Sequence, residues 1–345
     1  MLNFTRDSFE VLSNTDSAID FILLRPQNFF SKFFSWCLPK KLSVYLDKFL
    51  LFGPYIRWIC IQKKPQIVHV LDHSDSTYKF FLPSWVIFVV TVHDLFAIEA
   101  AIGKIPEVET RLTGRIYQQL IKLGIQKADM ALAISVTTQT SLTELFPNLK
   151  SLVVHNFIIP RGFETSILTE FSQEKYFLIL MNSHWRKDRL NSIRIWMKLS
   201  QEREFENSSL IIVGNSLTFQ EKKFVGDKNL QKIKVFENLT RLEIYKLYLN
   251  AIAVINISKY EGFGMPIIEA NSMKKICIFG GSRAFLEIAP PQNFCWSLNG
   301  DNILGELVQK IQSKKNVEDA YSFVLSNYSG ELYARKVLDS YRKLF

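Results

Sequence analysis

The chain has 345 residues, of which 48% are hydrophobic and 22% are charged, a composition that excludes an intrinsically disordered protein and allows two domains with separate cores. Lys and Arg exceed Asp and Glu by 42 to 33, a net charge of +9, so anionic partners are favoured over cationic ones. The cysteines, at positions 37, 60, 277 and 295, form no CxxC pair, which predicts buried thiols in a reducing compartment rather than a zinc site. A polar N-terminus and apolar runs shorter than the ~20 residues that span a bilayer predict a cytoplasmic protein.

Residues 29–64 are the most basic and aromatic stretch of the chain. They hold seven Lys or Arg residues, one Asp and ten aromatic residues. This mixture is typical of a helix that rests on an anionic membrane surface, and it predicts a peripheral protein on the inner face of the membrane. An ordinary pair of helices whose aromatic side chains lie in the core fits equally well. No nucleic acid is expected as a partner, because no RNA-binding motif accompanies the basic and aromatic residues.

Short apolar runs alternate with longer amphipathic stretches from residue 66 onward. The runs predict strands over 66–71, 86–92, 130–135, 152–156, 176–182, 210–215, 232–236, 251–258 and 276–281. Stretches such as 111–128 and 189–202 have helical spacing. Continuous apolar strands that alternate with helices indicate an α/β protein with parallel sheets covered on both faces.

The alternation stops at 157–175, where the periodicity is lost. We therefore predict two Rossmann-like domains, an N-terminal one over 1–160 and a C-terminal one over 176–345, joined by a linker over 161–175. In open parallel sheets, ligands bind beyond the carboxyl ends of the strands. The turns that follow the strands are accordingly the places to search for functional residues.

The stretch SKYEGFGMPIIEA, residues 258–270, follows one such strand and is unusual in its chemistry. Pro266 suits the first position of a helix, and the N–H groups and dipole of a helix start favour an anionic phosphate. Glu261 lies in the turn, and Glu269 is expected in the first helical turn, where it could accept hydrogen bonds from sugar hydroxyls. A helix-capping role for Glu269, with glycines that merely shape the turn, explains the pattern equally well.

EGFGMPIIEA resembles the signature of the retaining glycosyltransferases of family 4, the group 1 glycosyltransferases, in which two glutamates are separated by seven residues. The resemblance covers residues 66–345 and implies a GT-B fold, in which two Rossmann-like domains with parallel sheets face an interdomain cleft. It also implies that Glu269 holds the nucleotide ribose and that Glu261 contacts the donor sugar. The backbone at Phe263, Gly264, Met265 and Pro266 would approach the sugar and the diphosphate.

Two other segments of the C-terminal half are similar to elements of the same family. The turn after the strand at 176–182 contains Arg186 and Lys187, which match the cations that neutralise the donor diphosphate. Such a charge is needed because the leaving diphosphate gains negative charge as the glycosidic bond breaks. Gly214, after the strand at 210–215, would allow close approach near the base.

The N-terminal half carries polar side chains in two turns. The segment VVTVHDLFAI, residues 89–98, resembles the Thr-x-His-Asp-Leu element of the family, which implies that His93 bonds the donor sugar and that Asp94 orients His93 or the local turn. The turn after the first predicted strand holds Asp72 and His73, which we interpret as lining the acceptor side. That turn is dense enough in His and Asp to suggest a metal, but the family requires none, and neither a metal nor another cofactor is expected.

The resemblance implies a retaining, metal-independent enzyme that moves a sugar from a nucleotide diphosphate sugar to a glycan or lipid-linked acceptor, as in cell-surface polysaccharide synthesis. One departure stands against it: the family opens with a strand and a glycine-rich loop, whereas this chain has no glycine before Gly53. Two alternatives therefore remain open. One is a related enzyme of the sugar-nucleotide 2-epimerase type, and the other is a non-catalytic relative that binds membranes or partner proteins.

Overall fold

The computed structural model describes residues 2–16, 18–26, 28–33, 36, 39–159, 174–296 and 304–345. The chain divides into two compact units, the first formed by residues 1–155 and 331–345 and the second by residues 156–330. The predicted linker, 161–175, lies almost entirely outside the described residues.

The helices are numbered along the whole chain. They are α1 (Leu2–Thr15), α2 (Phe29–Phe33), α3 (Lys40–Tyr45), α4 (Gly53–Lys63), α5 (Phe96–Ala101), α6 (Leu112–Gln126), α7 (Val136–Leu145), α8 (Arg189–Leu199), α9 (Phe219–Val225), α10 (Asp227–Leu230), α11 (Arg241–Asn250), α12 (Met265–Ser272), α13 (Arg283–Ile288), α14 (Leu304–Gln312), α15 (Lys314–Asn327) and α16 (Gly330–Arg342). A π-helix, Leu46–Phe52, joins α3 to α4, and 3-10 helices cover His73–Phe80 and Trp185–Lys187.

The strands are numbered in the same way. They are β1 (Ile67–Val70), β2 (Ile87–Val92), β3 (Met130–Ala133), β4 (Ser151–Val153), β5 (Tyr176–Leu180), β6 (Ser209–Val213), β7 (Ile233–Phe236), β8 (Val254–Asn256), β9 (Cys277–Phe279) and β10 (Phe294–Cys295). Seven of the first nine fall within the predicted strands, and β4 and β6 each begin one residue before the predicted run. β10 was missed, because a strand of two residues leaves no periodicity in the sequence.

The first unit holds a four-stranded parallel sheet in the order β1-β2-β3-β4. The side chains of Phe88, Val90 and Ala131 are fully buried, because helices cover the sheet, and this is why its central strands have continuous apolar sequences. The last helix, α16, also belongs to this unit. Its Tyr341 hydroxyl is 2.7 Å from Nδ1 of His69 in β1, and this packing places residues 331–345 outside the C-terminal domain that the sequence predicted.

The second unit holds a six-stranded parallel sheet in the order β10-β9-β8-β5-β6-β7. Numbered within the unit, this is the doubly wound order 3-2-1-4-5-6 of dinucleotide-binding folds. Its core includes Phe177, Ile179 and Trp196, all fully buried. The α/β class with parallel sheets is confirmed in both units.

Two smaller expectations from the sequence are settled by the fold. Of the cysteines, Cys60 and Cys277 are buried as predicted, but Cys295 is exposed because it ends the edge strand β10, and Cys37 lies outside the described residues. In the part of the chain that the structure describes, no helix is both long enough and apolar enough to span a bilayer.

Candidate active site

The order of the second sheet fixes where a ligand would bind. The chain runs from β5 outward through β6 and β7, then returns to β8 on the other side of β5 and continues through β9 to β10. The connections that leave β5 and β8 therefore part at the carboxyl edge of the sheet and open a crevice, which is the usual ligand position in such folds. The turn with Arg186 and Lys187, called the basic turn, follows β5. The turn with Glu261, called the acidic turn, follows β8.

The basic turn after β5 is held in one conformation by local hydrogen bonds. Its residues Trp185–Lys187 form a 3-10 helix, and the backbone N–H of Arg186 donates to Nδ1 of His184 at 3.4 Å. Asp188 follows in the left-handed region at φ 49°, where its Oδ2 accepts from Nδ2 of Asn191 at 2.7 Å. Because these bonds settle the backbone, the cationic side chains project from a defined position at the sheet edge.

The basic and acidic turns contact each other directly. The backbone N–H of Lys259 donates to the carbonyl of Arg186 at 2.7 Å, and Nζ of Lys259 lies 3.4 Å from Oδ2 of Asp188. Nζ of Lys187 lies 2.5 Å from Oε1 of Glu261. The sequence predicted Lys187 and Glu261 for one site from positions 74 residues apart, and the fold brings them into contact.

The electrostatic character of this crevice is positive on its β5 side. Side-chain exposures of 25% for Lys187 and 13% for Glu261 show that both groups keep some contact with solvent. Partial burial, together with the neighbouring cations of Arg186 and Lys187, lowers the pKa of His184. The turn can therefore attract an anion while His184 stays neutral.

Packing explains why Phe263 and Gly264 occupy their positions in the acidic turn. Phe263 is buried, and its ring meets that of Tyr328 edge to face at 5.7 Å. Gly264 has φ 125°, and an added Cβ would come within 2.7 Å of the Phe285 ring. Only glycine accepts both constraints at the point where α12 begins.

The helix start differs slightly from the prediction. α12 begins at Met265, so Pro266 occupies its second position instead of the first. Both positions lie in the first turn, where the missing N–H of proline breaks no helical bond. Met265 and Pro266 are half-buried.

Glu269 is the fifth residue of α12, so its expected place in the first turn was wrong and α12 has no acidic residue there. Helix capping is thereby removed as an explanation of Glu269. Its Oε2 instead accepts a hydrogen bond of 2.9 Å from the hydroxyl of Tyr248, which is fully buried on α11. Burial raises the pKa of Glu269, while the Tyr248 bond and the positive charge of Arg241 oppose that rise.

The strand β6 side of the crevice is braced by residues that sequence reasoning missed. Arg189 is buried and forms two bonds with Glu221, Nε to Oε1 at 2.8 Å and Nη2 to Oε2 at 2.6 Å. Its Nη1 also donates to the carbonyl of Asn215 at 2.6 Å, and Oδ1 of Asn215 accepts from the N–H of Ser183 at 2.7 Å. This chain of bonds fixes the turn after β5. The sequence signal that could have located Glu221 was the Thr-x-x-Glu capping box at 218–221.

Gly214 also has a structural explanation. A Cβ at this position would overlap the carbonyl oxygen of Met181, so the close approach of β6 to β5 requires glycine there. The predicted approach of a base near Gly214 stays a prediction.

In the first unit, the turns after β1 and β2 bring His93 close to the start of the 3-10 helix at 73–80. Nε2 of His93 donates to the carbonyl of Leu71 at 2.9 Å, and the ring of Phe4 packs edge-on against it at 5.0 Å. Burial lowers the pKa of His93, although the nearby charge of Asp72 opposes this. His93 is therefore a neutral imidazole whose Nε2 proton is already used, which leaves Nδ1 as its acceptor for a ligand.

The remaining predicted residues of this unit have local roles. Oδ1 of Asp72 accepts from the N–H of Ser74 at 2.8 Å and caps the 3-10 helix, and Nδ1 of His73 lies 3.6 Å from the same oxygen. Asp94 accepts from the N–H of Phe96 at 3.2 Å, so it orders the local turn. Acceptor contacts by Asp72 and His73 stay a prediction.

The apparent metal-binding density of the 69–75 stretch has another explanation. Nε2 of His69 hydrogen-bonds with Thr91 at 2.8 Å, and burial lowers the pKa of His69 to about 3, so it is a core histidine. Asp75 pairs with Nζ of Lys48 at 2.9 Å. Within the described ranges, no three His, Cys, Asp or Glu side chains are grouped so that they could hold a metal ion.

Residues 163–295 match the family model described as glycosyl transferases group 1. No curated protein sequence matches the chain. Sucrose-phosphate synthase from Thermosynechococcus elongatus superposes with a TM-score of 0.73 at 15% identity, over 99% of this chain and 93% of that one. A glycosyltransferase from Rickettsia africae superposes with a TM-score of 0.64 at 18% identity, over 99% and 94%.

HepE from Anabaena, solved in complex with UDP-glucose, superposes with a TM-score of 0.62 at 12% identity, over 84% of this chain and 82% of that one. At these identities the likeness shows the fold, and the expected GT-B fold is confirmed. The matched segment spans β5 to β10 and so contains the basic and acidic turns. The chain thus combines a GT-B fold with a segment similar to the group 1 glycosyltransferases, and together these support a glycosyltransferase.

Proposed function

We propose that this protein is a retaining glycosyltransferase that moves a sugar from a nucleotide diphosphate sugar to a glycan or lipid-linked acceptor, in cell-surface polysaccharide synthesis at the cytoplasmic side of the membrane. The observation that carries the proposal is the contact between Lys187 and Glu261 at the switch point of the second sheet. A cation and a carboxylate there match the two unlike parts of such a donor.

The donor would bind along the carboxyl edge of the second sheet. Its diphosphate would lie by Lys187 and Arg186 and by the start of α12, where the helix dipole adds to the positive charge. The ribose hydroxyls would bond the carboxylate of Glu269, which Tyr248 holds in place. Once the diphosphate takes over Lys187, Glu261 is released to accept bonds from the sugar.

The same groups would act in the reaction. As the glycosidic bond breaks, negative charge grows on the departing diphosphate, and a preformed cationic site stabilises it most at that moment. The positive charge comes from Lys187 and Arg186, so the proposal assigns no metal. We assign retention to attack on the same face that the leaving group departs from, with the donor phosphate taking the acceptor proton, in place of the nucleophilic carboxylate of retaining glycosidases.

The first unit would supply the acceptor side. His93 would offer its Nδ1 to a hydroxyl of the donor sugar, and Asp72 and His73 would line the acceptor. A neutral imidazole is suited to this because it can accept a hydrogen bond from a sugar hydroxyl without repelling the cations that the diphosphate needs.

A non-catalytic relative is the second candidate, and one observation favours it. The ring of Phe4, in the first helix, packs against His93, and the chain before β1 has no glycine-rich loop. If α1 permanently closes the acceptor side, the protein binds a nucleotide sugar without transferring it. A 2-epimerase would instead turn over the sugar nucleotide with no acceptor.

A panel of UDP- and GDP-sugars separates these possibilities. Slow release of nucleoside diphosphate from one donor, abolished in Lys187→Ala, supports the transferase. An epimerised sugar nucleotide supports the 2-epimerase, and binding without any turnover supports the non-catalytic relative. If no member of the panel binds, the donor site is not where we place it.

A further inference from the structure

Helix α4 has two apolar faces, and the described part of the chain covers only one of them. Ile56 and Cys60 point inward and are buried. Tyr55, Trp58 and Ile61 lie at helical spacing on the opposite side and are exposed. A helix that is apolar on both sides is expected to have something packed on each of them.

The uncovered face continues beyond α4. Leu51, one turn earlier, is also exposed, and the rings of Tyr55 and Trp58 stack with centroids 6.1 Å apart. At the other end, Ile61 and Trp85 line a shallow cavity of about 420 Å³ together with Lys64. We name these five exposed side chains, Leu51, Tyr55, Trp58, Ile61 and Trp85, the aromatic face.

The charged side chains that α4 and the residue after it expose are all basic. Arg57, Lys63 and Lys64 are exposed on α4 or immediately after it. The single acid of residues 29–64 is Asp47, which is buried and accepts bonds from the N–H groups of Phe30 and Ser31 at 2.6 and 2.9 Å. No carboxylate of this segment therefore offsets the exposed cations.

Not every Lys or Arg of residues 29–64 contributes to the exposed basic surface. Lys48 is buried, and its Nζ pairs with Asp75 and donates to the hydroxyl of Tyr117 at 2.9 Å. The prediction from sequence counted Lys48 as part of a basic surface, and the structure makes it a core residue instead. The exposed cations that border the aromatic face, on α4 or directly after it, are Arg57, Lys63 and Lys64.

We propose that the aromatic face docks on an anionic lipid bilayer. Trp and Tyr rings suit the boundary between headgroups and acyl chains because they combine an apolar body with a polar edge. Exposed Arg and Lys side chains beside them reach the lipid phosphates while their stems cover apolar surface. Phe33 and Trp36, 58% and 85% exposed, extend the apolar surface of the same N-terminal segment. The proposal is independent of the reaction, since it concerns a surface of the first unit alone.

The test is sedimentation of the full-length protein with vesicles of phosphatidylcholine, with and without phosphatidylglycerol. We expect binding to the anionic vesicles that weakens as salt rises. Trp58→Ala should lower the partition constant by about tenfold, since a large apolar side chain no longer leaves water. Arg57→Gln, Lys63→Gln and Lys64→Gln should each lower it by roughly fivefold.

Matched controls are available on the second unit. Phe219 is 84% exposed at the start of α9, and Lys228 is exposed on α10; Phe219→Ala and Lys228→Gln should leave vesicle binding unchanged. The proposal is overturned if the wild type fails to sediment with anionic vesicles, or if Trp58→Ala and Phe219→Ala bind alike. It is also overturned if Trp58→Ala instead abolishes a concentration-dependent dimer in gel filtration, because the face would then be covered by a second copy.

Discussion

Replacing Tyr248 by Phe would test how the structure prepares Glu269 for a ligand. The hydroxyl of Tyr248 makes a 2.9 Å bond to Oε2 of Glu269 and is fully buried, so the substitution removes one hydrogen-bond donor with little change in shape. A hydrogen bond to a charged group contributes about 1.5–3 kcal/mol. Because Glu269 is partly exposed and water can replace part of the bond, we expect the lower end, roughly a tenfold weaker affinity for a nucleotide sugar.

The same substitution has a predicted dependence on pH. Burial raises the pKa of Glu269, and the Tyr248 bond works against this by favouring the charged form. In the proposed site, ribose hydroxyls would donate to the carboxylate, so donor binding should fall as pH drops through that raised pKa. Loss of the Tyr248 bond raises the pKa further, so in Tyr248→Phe the fall begins at a higher pH than in the wild type.

The assay is calorimetric titration of a nucleotide sugar at several pH values, with Tyr176→Phe as the matched control. Tyr176 is also fully buried, and its hydroxyl donates to the backbone carbonyl of Leu247 at 2.8 Å, so its loss reports general destabilisation without touching Glu269. Wild-type affinity and an unshifted pH profile in Tyr248→Phe would refute the positioning of Glu269 by this tyrosine. An equal loss in Tyr176→Phe would refute it too.

Three further predictions concern the frame of the site. Arg189→Met should lower the free energy of unfolding by about 3–5 kcal/mol, because it leaves Glu221 buried without its partner. The double variant Arg189→Met with Glu221→Met should recover much of that loss in urea unfolding. Equal unfolding curves for Arg189→Met and the wild type would contradict this prediction. Burial alone would raise the pKa of Glu221, but the Arg189 and Thr218 bonds outweigh it and lower that pKa. The stability that the Arg189–Glu221 pair contributes should therefore be lost as pH falls through the lowered pKa. Histidine NMR should show the pKa of His184 below its ordinary 6.5 and rising when UDP binds, whereas an unchanged value with UDP bound would place the anion elsewhere. Gly264→Ala should cost about 1–3 kcal/mol through its φ of 125°, and an unchanged melting temperature would show that the turn relaxes freely.

Much of the fold could be predicted because parallel strands buried on both faces have continuous apolar sequences. The runs at 86–92 and 176–182 contain β2 and β5, whose side chains are almost entirely buried. β10 escaped because two residues carry no pattern, and the return of α16 to the first unit escaped because it depends on distant packing. The contact between Tyr341 and His69 joins residues 272 positions apart, and nothing local indicates it.

The candidate site likewise contains some residues that the sequence predicted and others that it did not. Lys187 and Glu261 were predicted for one site because both follow predicted strands and both match motifs of the family that the chain resembles. Parallel strands bring their carboxyl ends to one edge, which is why the fold brings the two residues together. Tyr248, Arg189 and Asn215 were missed, because a buried tyrosine or a buried ion pair looks like any other helical or loop residue until its partner is known.

The central claim is that the crevice at Lys187 and Glu269 binds a nucleotide diphosphate sugar, and calorimetric titration with a panel of UDP- and GDP-sugars tests it most directly. We predict that one donor binds the wild type and Tyr176→Phe, and that Lys187→Ala and Glu269→Ala each weaken it by at least about tenfold, since each loses a charge-assisted hydrogen bond. Binding that is equally strong in both alanine variants, or no binding by any sugar nucleotide to the folded wild type, would contradict the claim.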